Sequence, residues 1–303
     1  MNNSGDNVFR HIPAAAGEGD YFTSFLDSQD FARATRRAVA TDIRKFAQWF
    51  TQSNREPFRA SRVTVRDVTD FRSFLREEKR QAVATVNRCL VSLRRYFGWL
   101  VDEGHLPLNP AKAVKELHIV ALAPKGLEKN QVRRLLREVE LRNDVRANAI
   151  FHLLLYSGCR VADATNLELQ DLLIGERSGS VVFRYGKGNK QRSCPLPLAA
   201  RRALSAYIDT RPSVACEKLF LSERGALTER GVRALCDKYS AICGFKFFPH
   251  LLRHTFSHQY LAANENDIVG LAQLLGHQNI QTTSRYCQRT EDALALATDR
   301  LSY

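Results

Sequence analysis

The stretch Leu274 to Tyr286 reads LLGHQNIQTTSRY, with a histidine directly after a glycine and a tyrosine nine residues further on. Ile268, Leu271, Leu274 and Leu275 recur at helical spacing behind Asp267 and stop at Gly276. His277 is therefore expected at a helix C-terminus and Tyr286 on the next helical segment. A phenol becomes an effective nucleophile when a neighbour takes its proton. It also needs cations to hold the charge of the centre it attacks. The pair gains chemical meaning only if residues upstream can bind a phosphate.

Three upstream stretches supply such groups. In PHLLRHTF, Pro249 favours helix initiation, and the i, i+3 spacing puts His250 and Arg253 on one face near the helix N-terminus, where an anion is welcome. In SGCRVAD, Ser157-Gly158 ends a helix and Arg160 follows in the turn. Arg160 can pair with Asp163 or hold a phosphate, and the sequence leaves both open. In SVVFRYGKGNKQR, alternating β-branched and aromatic residues predict a strand, and Gly186 to Asn189 turn it into a hairpin that returns through Arg192 to Leu196. Glycines on both sides of Lys187 let the backbone approach a ligand. Lys190 and Arg192 make the tip basic, although lysines also serve to blunt an exposed strand edge. GKGNK lacks the Walker A spacing, so nucleotide binding is not expected. His254 and His258 stand at i, i+4 without a zincin glutamate or a neighbouring cysteine, so no metal site is expected.

The bulk properties say what surrounds these groups. A chain of 303 residues with 44% hydrophobic content can bury full cores in one large domain or two ordinary ones. Its seven cysteines are scattered and odd in number, which reads as reduced thiols. A net charge of +13 calls for a polyanionic partner, nucleic acid first and an acidic membrane surface second. No apolar run is long enough to span a bilayer, and the polar start MNNSGDNVFR does not resemble a signal peptide; a cytoplasmic protein is expected.

The elements that must position the site follow from periodicity. Residues 1–19 read as a loose arm. A bundle of about four helices follows: one with Phe22, Phe25 and Leu26, one capped by Thr35 with Val39, Ile43, Phe46, Ala47 and Phe50, one over Thr69 to Arg80, and one from Thr85 to Gly104. Between Arg33 and Arg95 there are 16 Lys/Arg against 6 Asp/Glu. Arg33, Arg36, Arg37, Arg44, Lys45, Arg88, Arg94 and Arg95, with Lys190 and Arg192 of the hairpin, are the candidates for contacting a nucleic-acid backbone. Prolines at 107, 110 and 124 mark a linker, expected as an extended strap. Helices are then expected over 127–140, 145–156, 201–208 and 228–243, with the hairpin as the one clear β segment.

Two arginines, two histidines, a hairpin lysine and a late tyrosine, in that order, resemble the tyrosine recombinase (phage integrase) family, close in pattern to its Xer-type members. SGCRVAD resembles the first arginine box, YGKGNKQR the hairpin lysine, PHLLRHTF the His-x-x-Arg box and LLGHQNIQTTSRY the histidine and tyrosine boxes; RATRRAVATDIRKF and LNPA resemble the helical DNA-binding domain and its closing loop. Cys159 stands where an aliphatic residue is usual, and Asp163 where glutamate is more frequent. The resemblance implies a mainly α fold with a small antiparallel hairpin or sheet in the C-terminal domain, the two domains forming a C-shaped DNA clamp. It implies a core-binding domain at 20–112, a linker at 113–125 and a catalytic domain at 126–303. It implies Tyr286 as nucleophile, Arg160 and Arg253 on the phosphate oxygens and Lys187 as acid to the leaving oxygen. His250 becomes the tyrosine's acid/base partner, His277 a donor to phosphate, and Asp163 an orienting group. It further implies no metal and no cofactor, and duplex DNA with inverted-repeat core sites as the partner. The working form becomes a homo-tetramer on two sites, with or without a second recombinase or accessory proteins, with the tail 288–303 packed on a neighbouring protomer. Two other readings fit the same features: DNA relaxation in the manner of a type IB topoisomerase, and a DNA-binding regulator without chemistry.

Overall fold

The structure, a computed structural model, describes residues 17–118, 126–184, 191–277, 279–284 and 286. Contacts divide the chain into two compact units, Met1–Val120 and Ala121–Tyr303. The fold is mainly α with a small antiparallel sheet in the second unit.

In the first unit the described helices are α1 (Glu18–Ser28), α2 (Arg33–Asn54), α3 (Val65–Ser73) and α4 (Val83–Asp102). The apolar stripes read from sequence face inward: Phe22, Phe25 and Leu26 on α1, and Val39, Ile43, Phe46, Ala47 and Phe50 on α2, are all buried. Phe46 is the centre of an aromatic cluster and meets Phe71 edge-on at 5.1 Å. Such pairs add about 0.5–1.5 kcal/mol beyond area burial. The helix starts differ from expectation. Helix α2 begins at Arg33 with Ala32 as its N-cap, which leaves Thr35 inside its first turn. Helix α4 begins at Val83 instead of Thr85. The third helix starts earlier than Thr69, because Thr64 and Asp67 form a reciprocal capping box. It then passes into a π-helical turn, Phe74–Glu78.

Buried Asp42 fixes α2 against α4. Its carboxylate accepts from the Arg88 guanidinium at 2.8 Å, the Ser92 hydroxyl at 2.9 Å and the Cys89 thiol at 3.2 Å. Residues read as the start of the linker pack on this unit. Val114 is buried in its core, and Asn87 on α4 pairs with both backbone groups of Leu117. The rest of the expected strap, 119–125, lies outside the described residues, as do the arm up to 16 and the tail 287–303.

The second unit is built on α6 (Val145–Ser157), whose Ala149, Ile150, Phe151, Leu153 and Leu154 are fully buried. Apolar on nearly every side, it is a core helix, wrapped by α5 (Lys129–Leu141), α8 (Leu198–Thr210) and α10 (Pro249–Ala263). Helices α7 (Val161–Asn166), α9 (Glu229–Cys243), α11 (Ile268–Leu275) and α12 (Gln281–Ser284) complete it.

Strands β2 (Gly179–Phe183) and β3 (Arg192–Pro195) pair antiparallel, with Phe183 opposite Arg192. A third strand, β1 (Leu172–Ile174), adds to β2; its three residues are too short a run to show alternation in sequence. A two-stranded ladder, β4 (Leu221–Ser222) with β5 (Gly225–Ala226), follows α8.

Candidate active site

Arg253 lies on α10 at 3% exposure. A buried guanidinium must satisfy its donors. It gives Nη1 to the Gly158 carbonyl at 2.5 Å, and Nη2 to the Leu275 carbonyl at 3.1 Å and to His277 Nε2 at 2.9 Å. Both carbonyls sit at helix ends. Helix α6 is closed by Gly158 at φ 57° and α11 by Gly276 at φ 64°, left-handed positions where a side chain is strained. A Cβ on Gly158 would also come within 2.9 Å of the Leu275 side chain.

These bonds fix the tautomer of His277. A guanidinium only donates, so Nε2 accepts and Nδ1 carries the proton, which goes to Thr283 Oγ1 at 2.8 Å. His277, expected as a donor to phosphate, is here the acceptor of Arg253. Thr283 is fully buried and belongs to the same device, although the sequence does not single it out.

Arg160 caps α7, and its backbone N–H goes to Asp163 at 3.2 Å. The Asp163 carboxylate itself is taken by Arg192, at 2.5 Å and buried on both sides. Among the described residues the Arg160 guanidinium has no carboxylate within ion-pair distance. Of the alternatives left open above, the ion pair of Arg160 with Asp163 is not formed: the Asp163 carboxylate pairs with Arg192. Burial, then the Arg160 cation, pulls Arg253 down to about 10, so Arg253 is still charged at neutral pH. Two adjacent cations without an acid form a ready anion site.

Tyr286 is 8% exposed and packs with Phe256, Leu261, Leu271 and Leu275. Its hydroxyl lies 2.7 Å from Nδ1 of His254. The sequence reading put His250 in that place. His250 is exposed, one helical turn before His254, and its ring meets the His254 ring at 4.2 Å. His258, one turn later, stands edge-on to the Tyr286 ring at 5.4 Å. Sequence reasoning weighed His254 only as half of a metal pair. The signal was the i, i+4, i+8 run of His250, His254 and His258 down one helix face.

Lys187 and Lys190 lie outside the described residues. Arg192, expected as a DNA contact, is internal: besides Asp163 it stacks over Phe183 at 4.4 Å, and a Cβ at Gly276 would come within 3.0 Å of its side chain. Two DNA candidates in the first unit are also engaged. Arg36 holds Asp27 and the Leu26 carbonyl, and Arg94 holds Glu116 and the carbonyls of Ala111 and Val114. Arg88 shares its charge with Asp42, while Arg95 is exposed over the Phe31 ring at 5.8 Å. Arg33 and Arg37 are exposed, and Arg44 and Lys45 half-buried.

Residues 125–292 match the phage integrase family, and residues 20–104 its N-terminal SAM-like domain. A tyrosine recombinase XerC of Thermodesulfovibrio yellowstonii is 31% identical over 285 residues, covering 88% of this chain and 90% of that one. Another, of Myxococcus xanthus, is 34% identical over 226 residues, 70% of this chain and 74% of that one. The fold matches a XerH site-specific recombinase bound to its difH substrate, with TM-score 0.73 and 17% identity over 92% of this chain and 83% of that one. It also matches a lambda integrase dimer bound to a core site, with TM-score 0.72 and 17% identity over 89% and 93%. With both domains matched and a relative of 31% identity spanning most of both chains, the chain belongs to the phage integrase family of tyrosine site-specific recombinases.

Proposed function

We propose that this recombinase breaks and rejoins duplex DNA through a 3′-phosphotyrosyl bond at Tyr286, exchanging strands between two sites. The observation that carries the reading is the buried Arg253 guanidinium, held by two carbonyls and His277 without a carboxylate, in the unit that also holds Arg160 and Tyr286. The planar forks of the two arginines suit the non-bridging oxygens of a pentacoordinate phosphorus. When a phosphate takes Nη2 of Arg253, His277 is released from accepting that bond. Tyr286 then attacks phosphorus, the P–O5′ bond breaks, and Lys187 protonates the departing 5′-oxygen. His250, at the exposed rim, completes the set beside the phosphate. The energy of the broken bond stays in the phosphotyrosine, so a 5′-hydroxyl of another strand can reverse the step without ATP.

The exposed basic residues Arg33, Arg37 and Arg95, with the half-buried Arg44 and Lys45 beside them, supply sequence-independent affinity for the duplex. Inverted-repeat core sites would each seat two protomers, and two sites a tetramer closed by the tail 288–303. Integration, excision and resolution of DNA are all outcomes of this one reaction.

The test uses nicked duplexes tiled across the DNA that flanks the gene, so that the short fragment carrying the freed 5′-hydroxyl diffuses away. The wild-type chain is expected to form a covalent adduct on one of them, lost in Tyr286→Phe. An adduct that survives Tyr286→Phe, or none on any tile, overturns the reading. Deleting residues 290–303 should spare single-site binding and weaken pairing of two sites; equal recombination by the shortened chain removes the tail from the assembly.

A further inference from the structure

The helix that carries Arg253 also carries the group that touches the nucleophile. We infer that His254 is the proton acceptor for Tyr286, a catalytic residue distinct from His250. The inference rests on the reading above, in which Tyr286 attacks phosphorus.

Three observations point there. Nδ1 of His254 lies 2.7 Å from the phenol oxygen, within reach for direct transfer. Both residues are 8% exposed, so water has little access to the oxygen that must lose its proton. The phenol ring is held between two imidazoles, His254 at 5.4 Å and His258 edge-on at 5.4 Å, with Phe256 and Leu271 closing the apolar side. A ring nitrogen able to take a proton thus lies within hydrogen-bond distance of the nucleophile before any substrate arrives.

The proton count closes. The phenol O–H bond breaks and its proton joins Nδ1 of His254. The phenolate forms the O–P bond, and the P–O5′ bond breaks. The leaving 5′-oxygen takes its proton from the separate acid on the hairpin side. In religation the imidazolium returns its proton to the departing Tyr286 oxygen. The imidazolium formed in between would face charged or titratable groups from several elements. On α10 itself these are His250, Arg253 and His258; from the end of α11, His277 beyond Arg253; from the start of α7, Arg160; and from the segment after α12, Tyr286. The negative phosphodiester seated between the arginines offsets this gathering of cations, which ties proton removal to correct DNA placement.

The experiment uses the full chain on the duplex it cleaves, carrying sulfur in place of the bridging 5′-oxygen. A 5′-thiolate leaves without a proton, so the assay reports the nucleophile's side alone. His254→Asn keeps an acceptor near the Nδ1 position but cannot hold the proton. Single-turnover cleavage by this variant is expected to fall roughly 10²-fold or more at neutral pH. Its rate should keep climbing with pH where the wild-type rate levels off. An unchanged rate, or an equal drop at every pH with the wild-type profile kept, overturns the assignment while Tyr286 remains the nucleophile.

A second measurement needs no DNA and no folded His254 variant. Histidine ¹⁵N spectra of the full chain are compared with those of Tyr286→Phe from about pH 5 to about pH 9, the range of imidazole titration. The His254 Nδ1 signal and its titration are expected to move. Identical curves overturn the inference whether or not a cleavable duplex has been found.

Discussion

Arg36, Arg88 and Arg94 in the N-terminal unit each end on a carboxylate, of Asp27, Asp42 and Glu116 in turn. Arg253 in the C-terminal unit is more deeply buried than any of them, yet it ends on two carbonyls and an imidazole. An arginine paired with an acid has spent its field on structure; one satisfied by neutral acceptors is held in place with its charge intact. By this criterion Arg192 belongs with the first group, although it lies in the same unit as Arg253. A cation's partner, more than its location, indicates its purpose.

That distinction can be broken at several points. The largest effect is expected for Arg192→Ala, which strands the buried Asp163 carboxylate. Urea unfolding should show a loss of about 3–5 kcal/mol, with an unchanged salt slope of DNA binding. A reduced slope would return Arg192 to the DNA-contacting set. Arg253→Lys keeps a charge but loses the fork, and single-turnover cleavage should fall about 10²–10³-fold while duplex affinity stays near wild type. Cleavage at the parental rate would erase the contrast between Arg253 and the paired arginines.

Arg94→Ala removes one ion pair and leaves the carbonyls of Ala111 and Val114 to water, for a loss of about 1–2 kcal/mol in stability. Arg37→Ala is expected to leave stability within about 0.5 kcal/mol. It should lower the logarithmic salt slope of DNA binding by about 0.9. A stability loss like that of Arg94→Ala would show that Arg37 is a structural arginine too.

The smallest effect concerns the opposite charge. Burial raises the carboxyl of Glu18 above its ordinary 4.5, against the backbone bond from Ala60 and the nearby Arg59. The folded chain therefore holds this proton more tightly than the unfolded one. The associated stability is full below about pH 4.5 and is lost as pH rises through the higher folded value. Glu18→Gln should flatten that decline in urea midpoints measured across the acid range. An unaltered slope would mean that the carboxylate is compensated after all.

Much of this was legible in the residues. The apolar stripes of α1 and α2, the Pro249 start of α10 and the Gly276 end of α11 follow from periodicity and backbone chemistry, because local rules govern them. The bond between Arg253 and His277 joins two residues that their types and order had singled out together. His254 was not legible in that way, because adjacent helical residues point about 100° apart and nothing local says that both Arg253 and His254 turn toward one site. The partner of Asp163 was equally hidden: Arg192 is 29 residues away, and only the strand register with Phe183 brings it back. The start of α2 eluded the capping rule, since Thr35 is a good cap by type and the chain caps the helix three residues earlier, at Ala32.

The bond from Arg253 to the Gly158 carbonyl spans 95 residues of chain, and the one from His254 to Tyr286 a further 32. During synthesis at about 5–20 residues per second, the first separation alone takes roughly 5–19 s. Through that interval the basic helical unit is already complete, and the carbonyl waits for its arginine. A growing chain thus acquires its means of holding DNA well before its means of cutting it. On the function proposed above, the order of residues along the chain acts as a timer that makes Tyr286 available after the groups that would hold the duplex.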